Sequence, residues 1–248
     1  GPNSILPDGT TGLLFIESGS LQRVSACGKD QRLSTHYLFG QKTCSIHYNF
    51  NHDAVKCFGL KLSPLAFKAL FDLNQNGLAD KVLNLEKMLP SFPIDELMEQ
   101  SGIQRKKAFL ENYLLQYLKD ADNPKLDLAE KVLQFINKRN DLPSVFELSQ
   151  NFNVGYRFLE RLFHEYIGLS PKMYLRLLRF NRVIAAHHQN ENASLHHLAL
   201  DFGYFDQMHL IRDMKLFTAQ TPSRFFARHT PDLEWQHRNF LGQHFANV

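Results

Sequence analysis

Two stretches of the chain concentrate side chains that can recognise the edges of nucleic-acid bases. The first presents Tyr156, Arg157, Glu160, Arg161 and His164 at helical spacing, and the second Gln207, Met208, His209, Ile211 and Arg212. A guanidinium fork fits the O6 and N7 acceptors of guanine, a carboxamide fits adenine, and a carboxylate accepts from N4 of cytosine. Arg157, Arg161 and Arg212 therefore suit guanine, Gln207 adenine and Glu160 cytosine. A good bidentate pair discriminates by about 1–3 kcal/mol. Plainer roles exist for the same groups. Arg161 and Arg212 can pair with acids on their own helices, such as Glu165 or Asp213, and Glu160 can be a solvated neighbour. Lys172, Arg176, Arg179 and Arg182 could hold phosphates, which fixes register without reading sequence; a solvated helix face is the alternative.

Other chemistries find less support. The chain has no G-x-S-x-G, no H-E-x-x-H and no phosphate-binding glycine loop, so it does not read as an enzyme. His187–His188 and His196–His197 are adjacent pairs, whose members on a helix point about 100° apart and share one ion poorly. No Cys or carboxylate completes a recognised metal spacing around them. His36, His47 and His52, on or near predicted strands, are the alternative ligand set, lining a small barrel. No metal and no cofactor is expected. Cys27, Cys44 and Cys57 are few, scattered and odd in number, which favours reduced thiols in a cytoplasm.

An internal repeat positions the two polar faces. Val145, Leu148, Ser149 and Phe152 recur as Leu195, Leu198, Ala199 and Phe202 at an offset of 50. Leu159, Arg161 and Phe163 recur as Leu210, Arg212 and Met214, and Ser170-Pro171-x-x-Tyr174 as Thr221-Pro222-x-x-Phe225, at an offset of 51. Two similar units with one inserted residue account for this. Each reads as helix–turn–helix. Ser144 and Glu147 make a capping box, and Asn153 and Gly203 take the left-handed turn position. The second helices bury Leu159, Leu162, Phe163 and Tyr166 in one unit and Leu210, Met214 and Phe217 in the other. Between the units, Ser170 caps a helix over Pro171–Gln189. At 1.5 Å per residue it spans about 30 Å, close to the roughly 34 Å between successive major grooves on one DNA face.

The ordered constellation Leu159-x-Arg161-x-Phe163, Gly168-Leu169-Ser170-Pro171-x-x-Tyr174, Phe202-Gly203-Tyr204-x-Asp206-Gln207-x-His209-Leu210-x-Arg212 and Thr221-Pro222-x-x-Phe225 resembles the DNA-binding domain of AraC/XylS-type bacterial transcriptional regulators over about residues 126–229. The resemblance implies seven helices, with base contacts from Tyr156, Arg157, Glu160, Arg161, Gln207, Met208, His209 and Arg212. Three positions depart from the family pattern. Gly155 stands where a capping Ser is usual, Ala186–His187 replaces an aliphatic pair, and Ala219 replaces Gly.

The first 62 residues read as strands: Gly12–Ser18, Leu21–Ser25, Ser34–Phe39, Cys44–Phe50 and Ala54–Leu62. Ser63–Pro64 starts a helical region, clearest at Gln104–Leu118, and Asp120–Lys125 reads as a linker. Leu110, Leu114 and Leu118 form either a dimer seam or a stripe packed on their own sheet. The expected architecture is an α+β domain over 1–122 (antiparallel sheet plus helices), an all-α domain with two helix–turn–helix motifs joined by a linker helix over 125–230, and a tail over 231–248. The first part more loosely resembles the companion domains of some AraC-type regulators, which sense ligands, dimerise or both. Its aromatics Phe15, Tyr37, Phe39, Tyr48, Phe50 and Phe58 either line an apolar ligand pocket or fill the core.

Composition agrees with this reading. A hydrophobic content of 44% with 21 Phe can fill a sizeable core, which excludes wholesale disorder. Apolar runs reach only about five residues against the roughly 20 that a spanning helix needs. No basic region followed by an apolar stretch opens the chain, so no secretory signal is expected. An opening Gly1–Pro2 without initiator Met is expected of a fragment or an expression scar. The net charge of +3 divides into zero over 1–124, +4 over 125–230 and −1 over 231–248, which suits a polyanion partner for the second part. The expectation is a cytoplasmic transcriptional regulator. Its partners are double-stranded operator DNA, with RNA polymerase, a small-molecule effector and a second copy of the chain as further candidates and no membrane. The rival readings are a metal-dependent N-terminal enzyme or sensor barrel controlled by DNA binding, and a non-sensing architectural DNA-binding protein.

Overall fold

The computed structural model describes residues 3–25, 30–50, 55–116 and 123–227. His52, Leu118 and the expected tail 231–248 lie outside them. Strands β1 (Asn3–Ile5), β2 (Thr11–Ser18), β3 (Leu21–Ser25), β4 (Gln31–Leu33), β5 (His36–Phe39), β6 (Ile46–Phe50), β7 (Lys56–Leu62) and β8 (Val82–Asn84) form two antiparallel sheets, ordered β1-β6-β3-β4 and β7-β2-β5-β8. The five expected strands are present. The three additional ones, β1, β4 and β8, have three residues each, too few to display alternation in sequence.

Helices α1 (Pro64–Phe71), α2 (Leu85–Met88), α3 (Ile94–Glu99) and α4 (Ile103–Leu115) pack on the second sheet. Ser63 caps α1 by accepting from Ala66 N at 3.1 Å. Leu13, Phe15 and Leu38 of the sheet meet Phe67, Leu97 and Leu110 of the helices in one core. Phe15 stacks on Phe58 with centroids 4.9 Å apart. These two aromatics therefore fill the core instead of lining a pocket. Leu110 is buried there too, so α4 turns this leucine towards its own sheet.

Among the described residues of the second half the elements are all helices: α5 (Pro124–Asn137), α6 (Val145–Asn151), α7 (Tyr156–Tyr166), α8 (Pro171–Gln189), α9 (Leu195–Asp201), α10 (Gln207–Thr218) and α11 (Pro222–Phe226). The expected linker is shorter than its composition suggests. Pro124 and Lys125 already belong to α5, because proline has no N–H to lose at a first helical position and Asn123 caps the helix, accepting from Leu126 N at 3.1 Å.

The halves share a core. Leu6 is buried among Phe180, Val183, Leu198, Leu210 and Phe217 of α8, α9 and α10. Pro7 O accepts from Asn181 Nδ2 on α8 at 3.1 Å. The next residue, Asp8, is buried with Lys42 Nζ at 3.2 Å and Lys61 Nζ at 2.6 Å, and it accepts from the Thr10 hydroxyl at 2.8 Å. Burial alone would push the Asp8 carboxyl up; the two ammonium charges and the hydrogen bonds from Lys61 and Thr10 outweigh it and hold the group well below the usual carboxylate range. Cys44 is disulfide-bonded, contrary to the expected reduced thiols, whereas Cys57 is free and exposed.

Asp8→Ala removes the acceptor from a Lys42 that is only 5% exposed. An unpaired buried charge of this kind costs about 3–5 kcal/mol, read as a lower urea midpoint of the full chain. Because the folded pKa lies below the unfolded value of about 3.9, the stability from Asp8 is complete above that value and is lost as pH falls through and below it. The wild-type midpoint should therefore drop between about pH 5 and pH 3 by more than that of the Asp8→Ala variant.

Candidate nucleic-acid interface

The two units repeat in their hydrogen bonds as well as in their residues. Val154 N donates to Ser149 O at 3.1 Å in the first turn, and Tyr204 N to Ala199 O at 2.8 Å in the second. Asn153 (φ 49°) and Gly203 (φ 72°) occupy the expected left-handed positions. The Ser144–Glu147 capping box closes with bonds of 2.6 and 3.1 Å. Small residues serve the helix crossings: Ala199 is fully buried, and Ser149 returns its hydroxyl to Val154 O at 2.6 Å.

The apolar stripes of α7 and α10 are buried as the spacing requires: Leu159, Leu162, Phe163 and Tyr166 in one, Leu210, Met214 and Phe217 in the other. The opposite faces are open. Tyr156, Arg157 and Arg161 are exposed on α7, with Glu160 half-buried. Glu160 accepts a hydrogen bond from the Tyr156 side chain, which raises the phenol's pKa, and lies 3.5 Å from His164 Nε2. On α10, Met208 and Arg212 are exposed and Gln207 and His209 half-buried. His209 meets the Tyr204 ring edge-on at 5.1 Å. Neither Arg161 nor Arg212 is held by an ion pair among the described residues. Asp213, one candidate partner, instead takes Arg176 of α8 at 2.5 Å.

That pair exposes what residue types alone did not show about the cations of α8. Arg176 fastens α8 to the buried Asp213, Arg179 lies 5.1 Å from the Tyr204 ring, and Arg182 donates to Asn140 O at 2.7 Å. The four expected phosphate ligands thus divide. Lys172, Arg176 and Arg179 line a groove of about 460 Å³ together with His209, whereas Arg182 caps the α5 end on another side. Two exposed apolar groups, Phe146 at 70% and Phe205 at 88%, gave no signal in the repeat. His36 and His47 lie on strands of different sheets, and among the described residues no group of three His, Cys, Asp or Glu could hold a metal ion.

Residues 148–228 match the family model described as a helix-turn-helix domain, and residues 2–84 match one described as a domain of unknown function (DUF6597). Residues 148–228 are an AraC-type helix-turn-helix domain. The chain is accordingly a DNA-binding transcriptional regulator. No curated protein matches it in sequence. Solved structures with a similar path include ToxT from Vibrio cholerae, at 10% identity and a TM-score of 0.47 over 92% of this chain and 97% of that one. ToxT with a bound unsaturated fatty acid aligns at 11% identity and a TM-score of 0.48 over 91% and 93%. Both likenesses are too slight to carry activity or ligand across. Among the described residues, no helix of this domain or of the first half is long and apolar enough to cross a membrane.

The AraC-type domain departs from its family at the start of α7, where Gly155 provides no side-chain cap. Gly155 has φ −68° and ψ 150°, and a Cβ added there meets nothing within 4 Å. Gly155→Ser should therefore raise the stability of the full chain by about 0.5–1 kcal/mol, through a new cap and a less flexible unfolded chain. A melting curve that does not rise would show that α7 gains nothing from a cap.

Proposed function

We propose that this chain is a cytoplasmic bacterial regulator that sets α7 and α10 into adjacent major grooves of one duplex, and that a small organic effector acting on its first half modulates the binding. In this reading residues 1–122 regulate, 125–230 bind DNA, 231–248 form a tail, and the chain has no catalytic role. The observation that carries it is the duplicated presentation of Arg157 and Arg161 on α7 and of Gln207, Met208 and Arg212 on α10, each backed by a buried stripe and joined through α8. The 19 residues of α8 span about 28 Å, near the groove repeat of about 34 Å. Tyr156, Glu160 and His209 complete the base-facing set, and Lys172 with Arg179 approaches the backbone. Bound at a promoter, such a protein recruits or blocks RNA polymerase, as one copy or as a homodimer.

The effector reading rests on a cleft of about 1080 Å³ walled by both halves. Leu65 of α1, Leu126 and Leu133 of α5, and Tyr174 and Arg182 of α8 line it. Its apolar walls suit an apolar body and its guanidinium and carboxylate rim a polar end group. A ligand held between elements of both halves changes their coupling, and so DNA affinity, by thermodynamic necessity if it binds the two states unequally.

Selection of bound duplexes from a random library by the full chain tests the DNA reading. Two half-sites about one helical turn apart should emerge. Arg157→Ala and Gln207→Ala should each cost about 1–3 kcal/mol, relaxing preference in different half-sites and adding when combined. Relaxation of the same base pairs by both would remove the two-groove arrangement. The logarithm of affinity should fall against the logarithm of salt with a slope of about −5 to −7 for some 5–8 neutralised phosphates.

For the effector, a metabolite screen by thermal shift on the full chain should find a stabilising compound, worth about 2.7 kcal/mol at 100 times its dissociation constant. That compound should also change operator affinity. A hit that left DNA binding unchanged would remove the regulatory role of the cleft.

A further inference from the structure

The C-terminal ends of both reading helices are held from the first half of the chain, and by one short loop. Gln41 Nε2 donates to Ile167 O, the carbonyl of the residue that ends α7. Ser45 Oγ donates to Thr218 O, the last carbonyl of α10, at 3.2 Å. Both side chains are 1% exposed. The last carbonyls of a helix have no partner within it, so a donor supplied from outside fixes where that end can lie. Gln41 and Ser45 are four residues apart, a backbone reach of at most about 14 Å. One loop therefore touches both helix–turn–helix units at equivalent places.

The loop itself has little freedom. Asp80 grips it through Thr43, accepting from Thr43 N at 2.8 Å and from its hydroxyl at 2.5 Å. Asp80 N donates to Gln41 O at 2.7 Å, and Gly40 N to Lys81 O at 3.1 Å. Lys42, between the two donors, is the buried partner of Asp8, one residue after the Pro7 carbonyl that takes Asn181 of α8. The loop is thus tied to unit one, unit two and, through Asp8, the helix that joins them. Gln75 reinforces the first tie. Its N–H donates to Glu165 O at 3.1 Å and its side chain to Tyr166 O at 2.5 Å.

We propose that Gln41 and Ser45 are positioning residues that set the separation and angle of α7 and α10, so that the residue 40–45 loop fixes the half-site spacing this chain accepts. The proposal rests on the two-groove reading above. The linker helix joins the units and pins α10 through Arg176 and Asp213, but it leaves the far ends of both reading helices without donors of its own. The loop supplies one donor to each end, beside the two that Gln75 gives α7. Base preference stays with the exposed faces of α7 and α10, and spacing preference lies in buried residues more than 100 positions away in the chain.

The test is library selection with the full-length wild type, Ser45→Ala, and Gln41→Ala/Ser45→Ala, followed by binding of the selected half-sites moved apart by one and two base pairs. The wild type should return one spacing and lose affinity about tenfold or more on displacement. The double variant should return the same half-site sequences at several spacings and lose less than about threefold. Ser45→Ala removes a single oxygen atom and guards against loss of fold; it should broaden the spacing in the same direction while melting within a few degrees of the wild type. A variant that keeps one sharp spacing overturns the proposal. Changed half-site sequences at an unchanged spacing overturn it too, by placing the loop's effect on base reading. If the wild type itself enriches no paired half-sites, the two-groove reading fails and the loop's assigned role falls with it. That outcome is distinct, because it appears before any variant is compared.

Discussion

The arrangement of this chain turns on one buried carboxylate. Asp8 lies where water does not compensate its charge, and only Lys42, Lys61 and Thr10 make it tolerable there. Meeting that demand draws together three segments distant in sequence: the turn between β1 and β2, the loop before β6, and β7. Beside them, Pro7 lies against α8, and Leu6 is part of the core of the second helix–turn–helix unit. A buried ion cluster of this kind adds little net stability over a well-packed apolar alternative. Its effect is on uniqueness: any other arrangement of these three segments of the first half leaves a charge without a partner.

The helical half was legible in the sequence almost residue by residue, and the physics explains why. Its determinants are local. A capping Ser, a Pro at a first helical position and an apolar stripe at spacings of three and four each act within one or two turns. Duplication then offers every signal twice. Ala219 takes φ 57° where the family pattern has glycine, so even this departure keeps the conformation the repeat requires. The strand-rich half was legible in outline only. β1, β4 and β8 are strands because neighbours pair with them, and nothing inside three residues announces it.

The candidate site divides along the same line. Which side chains of α7 and α10 face outward follows from helical period alone. Which of the arginines on α8 are committed elsewhere does not, since Arg176 finds Asp213 37 positions on and Arg182 finds Asn140 42 positions back. The aromatics of the first half show the limit from the other side: alternation places Phe15 on a face, and only the covering helices decide that the face is solid core. Gln41, Gln75 and Ser45 carry no pattern in sequence. Uncharged polar residues in loops look like surface until a helix end needs a donor.

The bond between Asn181 and Pro7 closes a circuit of 174 positions, and it has a consequence for how the molecule comes into being. On the ribosome, Leu6 and Pro7 emerge long before α8, α9 and α10 exist to receive them. Until then Leu6 and the Pro7 carbonyl wait without their partners, and the β-rich half cannot settle into its final surroundings. Pairings of such length are entropically late and slow, and the interval leaves greasy surface uncovered. The nascent chain should therefore be a client for holding chaperones until α10 has emerged, whereas α5 to α7, whose contacts are close at hand, can order as soon as they leave the tunnel.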